Sequence, residues 1–409
     1  MTGRRIAIVG AGPAGIMAAL EAARLGAEVH LFDTNAVVGR KLLVTGNGRC
    51  NISNLHAAPD RYTCPDPSAL ATVFSAWGPE AVLARLEEHG ILTYATADGW
   101  CYPLSESAAT VVDALGAALQ AIGVAVHLQT RIAGLERARE GLVLLAGGPR
   151  DPRPFDRAIV ASGGKAYPAL GAHGDMYPLL ERLGHTVTPI LPALVPIVAD
   201  VRHLYKLQGV RLDVHLRLYV DGALTGEALG NLMFTQSGFS GPAAMDVSHL
   251  VSAHPQAEIT LRLDLLPHHR GRLWDLLKSK RRDPLPLRTL LGSALPAKVP
   301  PVILGMAGLA EDVRMPDLGW GEIQAVMDAL GNVSARATGT RGFARSQVSI
   351  GGIPLSEVDP ETMASRVVPG LYLAGEVLDV IGPCGGYNLH FAFATGALAG
   401  QAAAGPERH

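Results

Sequence analysis

Apolar runs and glycines alternate from the start of the chain. Arg5–Val9 has the length and content of a short buried strand, and residues 13–25 form an Ala- and Leu-rich stretch with Pro13 in its first turn, where proline suits a helix. Gly26 marks the end of that helix, and residues 28–33 read as a second strand. Strand, helix and strand within about thirty residues make a βαβ unit, the building block of a parallel sheet. A Gly-rich loop over 39–54 follows, then helical patterns at 69–77, 80–90 and 108–122, with a hairpin over 92–102 turning at Asp98 and Gly99. Strands are expected at 124–128, 142–145 and 157–161, the last running into Ser162, Gly163 and Gly164.

The pattern changes near 189–196. Residues 210–220 alternate, with Arg211, Asp213, His215 and Arg217 between apolar neighbours, and 258–263 do the same. From 268 to about 330 the signal is helical, broken by Pro296, Pro300, Pro301 and Pro316. Strands return at 344–350 and 370–374, and a last helix covers 388–402. The expected fold class is therefore α/β. A discontinuous Rossmann-like domain (1–190 with 345–409) carries an inserted β-rich, barrel-like domain (191–267) and a small helical subdomain (268–344).

Composition narrows the function. The 409 residues are 48% hydrophobic and 18% charged, which is a folded chain of more than one domain. A net charge of −2 gives no electrostatic reason to expect nucleic acid or an anionic membrane as partner. No apolar run reaches the ~18 residues needed to span a bilayer, so no membrane association is expected. The four cysteines, Cys50, Cys64, Cys101 and Cys384, form no CxxC pair. That spacing argues against disulfides and zinc and for a reducing, cytoplasmic compartment. The histidines show neither HxH nor HExxH spacing, so no metal site is expected.

Gly10-Ala11-Gly12-Pro13-Ala14-Gly15 fits GxGxxG between strand and helix. Its first glycine serves the tight turn, its second the approach of a pyrophosphate, and its third the packing of helix on strand. The phosphates would then sit at the positive end of the helix dipole. Asp33, eighteen residues beyond Gly15 at a strand end, is placed for ribose hydroxyls. FAD rather than NAD is indicated by the end of the chain. There a second apolar strand runs into Gly375 and Glu376, and Gly385, Gly386, Tyr387 and Asn388 open a small-residue helix whose N–H groups would face the flavin pyrimidine.

The loop from Gly39 through Arg40, Lys41, Thr45, Gly46, Asn47, Gly48, Arg49, Cys50 and Asn51 resembles the signature of the bacterial flavoproteins that include aminoacetone oxidase and BaiN-type and YhiN-type proteins. The resemblance continues through 162–175, 234–242 and 346–400. It implies a three-part architecture and FAD-dependent hydride exchange with a small organic substrate. Amino ketone oxidation and enone reduction are both open, with NAD(P)H or oxygen as a transient co-substrate. Thr45, Gly46 and Asn47 read as a turn close to the isoalloxazine. For Arg40, Lys41 and Arg49 two readings stand: charges on the pyrophosphate or flavin, or charges facing water. Cys50 reads as a small buried filler rather than a redox thiol. Where the family commonly has a histidine this chain has Gln236, which cannot exchange a proton near neutral pH. His390 stands where glutamine is usual, as a substitute proton donor or as a histidine on the helix surface. The one basic concentration, Lys278, Lys280, Arg281 and Arg282, reads as a solvated helix face. An RNA-modifying flavoprotein and a non-catalytic flavin protein are the alternatives.

Overall fold

The computed structural model describes residues 3–137, 142–146 and 152–406. They form two compact units, residues 1–191 with 347–409 and residues 192–346.

The first unit opens with β1 (Arg5–Val9), α1 (Pro13–Arg24) and β2 (Glu28–Phe32). Ile6, Ala7 and Ile8 are fully buried, because a central parallel strand is covered on both faces and needs apolar side chains on both. Helices α2 (Pro67–Ala76) and α3 (Pro79–Glu88) precede the hairpin of β3 (Thr93–Ala95) and β4 (Trp100–Pro103). Gly99 sits in that turn at φ +79°, where a side chain would be strained. Helix α4 (Ala108–Ala121), β5 (Ala125–His127) and β6 (Arg157–Val160) complete this segment.

The second unit is built on a closed barrel. Its strands are β7 (Ile197–Ala199), β8 (Arg211–Val220), β9 (Ala223–Thr235), β10 (Gly238–Ser240), β11 (Ile259–Asp264) and β12 (Val333–Thr340), in the order β7-β10-β9-β8-β11-β12. All the pairings are antiparallel. Val214, Leu216, Leu218, Leu261, Leu263, Val333 and Ala335 fill the interior, and alternate residues face out, as the two-residue period of a strand requires. Helices including α5 (Arg270–Ser279) and α6 (Trp320–Gly331) lie between β11 and β12 in sequence. One closing strand of the barrel thus falls inside the span expected as a helical subdomain. Its inward positions after Val333 are Ala335 and Ala337, too weakly hydrophobic to mark a strand by pattern.

The chain returns to the first unit for β13 (Leu371–Leu373) and α7 (Tyr387–Ala404). β13 pairs with β6 and completes a five-stranded parallel sheet, β13-β6-β1-β2-β5. The expected strand at 344–350 is only partly one, a short turn at Phe343–Arg345 preceding Val348–Ile350. Helix α7 lies against α1 with backbones in contact. A Cβ on Gly396 or Gly400 would come within 2.2 or 2.3 Å of the carbonyl oxygens of Ala14 and Ala18. Among the described residues no helix is long and apolar enough to cross a membrane, and no group of three or more His, Cys, Asp or Glu is placed to hold a metal ion.

Candidate functional site

The three fingerprint glycines answer to three different constraints. Gly10, at φ +107°, passes so close to β6 that a Cβ would lie 2.4 Å from the Ala161 oxygen. At Gly15 a Cβ would stand 1.7 Å from the Gly10 oxygen. Both are required by the fold. Gly12 is different, because a Cβ there would meet nothing within 4 Å. Gly12 caps α1 without a side-chain cap, Pro13 opens the helix, and no acidic residue occupies its first turn. Bare glycine backbone and a positive helix end with no acidic residue in its first turn form a seat for a phosphate. Gly163, at φ +72° on the loop after β6, is open in the same way.

Asp33 is engaged within the protein itself. Its carboxylate accepts from the Ala11 N–H at 2.7 Å, the Asn35 N–H at 2.7 Å and the Asn35 side-chain amide at 2.9 Å. It therefore holds the fingerprint loop to the end of β2. Asn35 also donates to the Leu170 oxygen and accepts from Arg40. These contacts border an open cleft of about 330 Å³ lined by Asn35, Arg40, Gln129, Arg131, Gly171 and His173. That is the lower end of the range for small-molecule sites. A larger cleft of about 450 Å³, at Trp77, Arg85, Glu88 and Gln401, includes no residue of the glycine loops.

The three cations of the 39–51 loop separate in the structure. Lys41 reaches Glu376 at 2.7 Å, so its charge is compensated within the protein. Arg49 is exposed with its guanidinium 4.6 Å from the Tyr102 ring. Arg40 is exposed and, among the described residues, is held by the neutral Asn35 amide, at 2.7 Å. Thr45 caps its own turn by donating to the Leu42 oxygen, and Gly46 and Asn47 follow in left-handed conformations at φ 56°. Cys50 is wholly buried, and burial pushes its thiol up to about 11.

Glu376 is a hub. Besides Lys41 it accepts from the Ser349 N–H at 2.9 Å and the Ser349 hydroxyl at 3.0 Å, and Ser349 in turn accepts from the Lys165 N–H. Gly164 must lack a side chain because a Cβ would stand 2.0 Å from the Ser349 hydroxyl oxygen. Gly375, at φ +74°, gives its N–H to Thr395, and a Cβ on it would stand 2.9 Å from the Ala14 Cβ. Ser349, Asn35, Gln129 and Arg131 were missed by the sequence reading. Each stands outside a motif, and only the fold brings it to the loops.

The start of α7 departs from expectation. The Gly386 N–H is not bare, since the Asn51 amide oxygen accepts it at 3.2 Å while the Asn51 nitrogen donates to the Ser53 and Cys101 oxygens. A Cβ on Gly386 would collide with the Ser53 oxygen at 2.2 Å. Its glycine is demanded by packing on the Ser53–Asn54 strand. The Tyr387 carbonyl accepts from the Tyr62 hydroxyl at 2.8 Å, and Asn388 bonds both the N–H and the oxygen of Gly382, closing the preceding loop. His390 is neither on the helix surface nor poised as an acid. It is fully buried, its Nδ1 lies 3.0 Å from the Ser53 hydroxyl, and its ring lies 5.1 Å from that of Phe74. Burial pushes its pKa down to about 4, with the Trp77 backbone weakly opposing, so it is neutral at pH 7. Gln236 is exposed in the turn between β9 and β10 of the second unit.

The residues present fit FAD. The open Gly12 and Gly163, the uncapped start of α1 and the cleft beyond Asp33 lie where a dinucleotide meets a Rossmann fold, at the carboxyl ends of the parallel strands. Comparison with known proteins agrees. Residues 4–402 match the HI0933-like protein Rossmann domain. The chain is 34% identical over 407 residues to a 3-dehydro-bile acid delta(4,6)-reductase of Clostridium scindens, covering 98% of this chain and 99% of that one. It is 30% identical over 399 residues to a ribosomal RNA dihydrouridine synthase of Escherichia coli, covering 95% of each. In fold it resembles a 3-ketosteroid-delta4-(5alpha)-dehydrogenase from Rhodococcus jostii, with a TM-score of 0.51 at 15% identity over 98% of this chain and 97% of that one. With its fingerprint, its returning strand and helix and its inserted barrel, this chain belongs to the HI0933-like Rossmann-domain family and is an FAD-dependent oxidoreductase.

Proposed function

We propose that this chain is a reductase that saturates a carbon–carbon double bond conjugated to a carbonyl. The carrying observation is a coincidence of bond type. A delta(4,6)-reductase of a 3-dehydro bile acid and a dihydrouridine synthase act on unrelated molecules, yet both names describe saturation of a C=C bond activated by a nearby carbonyl. Relatives that differ in substrate and agree in chemistry support the chemistry first. Bound FAD, once reduced by NAD(P)H, would supply the hydride, and a proton completes the saturation.

In this reading Gly12 at the start of α1 and Gly163 on the loop after β6 would hold the pyrophosphate, with Arg40 as a cation that meets no carboxylate among the described residues. The cleft at Asn35, Gln129 and Arg131 would take the adenosine half. Gly10, Pro13, Ala14, Gly15, Asp33 and Gly375 hold the loop that meets the cofactor. Glu376 ties the loop of Lys41 to Ser349, and Thr45, Asn47 and Arg49 would border the ring. Gly386, Tyr387 and Asn388 position the start of α7.

The test is anaerobic reduction of the purified yellow protein, one FAD per chain, with NADH or NADPH. Re-oxidation is then followed with 2-cyclohexenone, with aminoacetone and with air. Faster re-oxidation by the enone than by air is expected. Re-oxidation by air alone, with turnover of aminoacetone, would overturn the proposal in favour of an oxidase.

A further inference from the structure

Strand β4 carries Trp100 and Tyr102 on one face, because residues two apart along a strand point the same way. A Cβ on Gly385, in the loop before α7, would stand 2.9 Å from the Trp100 indole. One on Gly46 would stand 3.3 Å from the edge of the Tyr102 ring. Each of these two glycine turns therefore rests on an aromatic ring of β4. On β3, Tyr94 stands opposite Tyr102, with ring centroids 6.1 Å apart. The pairing continues to Leu92 and Leu104, which are 53% and 59% exposed and leave an apolar surface beside the rings.

Tyr102 is set apart by its hydroxyl. The residue is 3% exposed, yet among the described residues that hydroxyl has no hydrogen-bond partner. In the same unit Tyr62 donates to the Tyr387 oxygen, Tyr94 to Glu106, Tyr177 to the Glu376 oxygen and Tyr372 to the Ala402 oxygen. A buried polar group is normally bonded, and one that the protein leaves free is available to a ligand. Arg49 lies over the Tyr102 ring at 4.6 Å and, among the described residues, pairs with no carboxylate; its Nε faces the Gly46 oxygen at 3.5 Å. Glu106, the carboxylate whose charge also reaches Tyr102, accepts from Tyr94. Burial pushes the Tyr102 phenol above its usual value, Arg49 opposes that shift and Glu106 adds to it, so at neutral pH the hydroxyl is a donor. Other polar groups nearby are committed: Lys41 pairs with Glu376, Cys50 is wholly buried, and His390 faces Ser53 and Phe74.

We propose that the Tyr102 hydroxyl, with Arg49 beside it, holds the carbonyl oxygen of the substrate. This role rests on the reductase reading and on the place that reading gives Thr45 and Asn47 beside the ring. When a C=C bond conjugated to a carbonyl takes up hydride at its β-carbon, negative charge develops on the carbonyl oxygen. A hydroxyl donor fixed in advance, with a guanidinium next to it, lowers the cost of that charge. Tyr102 keeps its proton throughout, and no bond forms or breaks at it. The exposed Leu92 and Leu104 lie on the side where the hydrocarbon part of such a substrate would need apolar surface.

The test compares the full-length FAD-loaded protein with Tyr102→Phe, which keeps the ring, and with Arg49→Gln. Oxidised protein is first mixed with 4-dimethylaminocinnamaldehyde, a conjugated aldehyde whose visible band moves to longer wavelength when its carbonyl oxygen accepts a hydrogen bond. The band should shift with the parent, shift less with Arg49→Gln and stay in place with Tyr102→Phe. Protein reduced anaerobically with dithionite is then re-oxidised by 2-cyclohexenone. Tyr102→Phe should lower the limiting rate about a hundredfold with little change in the half-saturating concentration, as loss of a donor that acts in the transition state requires. FAD content, melting temperature and re-oxidation by air should match the parent. An unshifted band with the parent, an equal shift with Tyr102→Phe, or an equal limiting rate would each overturn the assignment. Loss of FAD from Tyr102→Phe would overturn it too, by marking the tyrosine as a support for the cofactor. If the enone fails to re-oxidise the parent, the reductase proposal falls, and the aldehyde band still decides whether Tyr102 holds a carbonyl oxygen.

Discussion

His390 makes an exacting test because its burial fixes both the sign and the size of an effect. The imidazole is fully buried against Phe74 and Ser53 and its pKa falls from 6.5 to about 4. The unfolded chain regains the ordinary value, so below about pH 6.5 it takes up a proton that the folded state refuses. The stability is complete above the unfolded pKa and is lost as pH falls through the window from 6.5 to 4. At ~1.36 kcal/mol for each tenfold change in proton affinity, the loss between pH 8 and pH 5 is about 2 kcal/mol, approaching about 3 kcal/mol below pH 4. Urea unfolding of the parent, His390→Leu and His390→Gln at pH 8, 6 and 5 measures it. The variants lower stability at every pH by changing the packing, but their stability should fall less between pH 8 and pH 5, by about 2 kcal/mol. Parallel pH profiles for parent and variants would refute the account, showing either that His390 reaches solvent or that a partner holds its proton.

Gly12→Val and Gly163→Val have different expected costs. Both residues are open, but Gly12 has an ordinary backbone whereas Gly163 is left-handed, so Gly12→Val should fold normally and retain no FAD, while Gly163→Val adds backbone strain. Gly15→Val, by contrast, should fail to fold because its Cβ would stand 1.7 Å from a carbonyl oxygen. Circular dichroism and flavin absorbance separate these outcomes. Glu376→Gln leaves Lys41 in a partly buried site without its counter-charge and should cost roughly 1 to 3 kcal/mol, with much of that regained in the double variant with Lys41→Met. Thermal melts of the four-protein cycle give the coupling. Cys50, fully buried and with its thiol pushed up to about 11, should react with iodoacetamide at pH 8 at least about a hundredfold more slowly than an unhindered cysteine, as read by mass mapping.

Much of the FAD unit was legible in the sequence because its signals are local. Arg5–Val9, the fingerprint and the following strand are set by apolar runs and by glycine. The alternation in β8 marked the barrel for the same reason, since a strand with one buried face writes its period into the chain. What escaped depended on partners distant in sequence. β12 carries alanines on its buried face, so its place in the barrel is decided by Ile259–Asp264 beside it. Lys41, Arg40 and Arg49 were equivalent cations in one loop until Glu376, 335 residues away, took the first of them. Gly386 was legible as a needed glycine, but its cause, the Ser53 carbonyl, was not. His390 had two readings, donor or surface group, and burial beside Phe74 removed both. The identity of the fold and cofactor thus rests on short-range pattern, which the chain carries in itself. Which charge is compensated, which glycine is open and which histidine is neutral depend on burial and on long-range neighbours, and these exist only once the chain has folded.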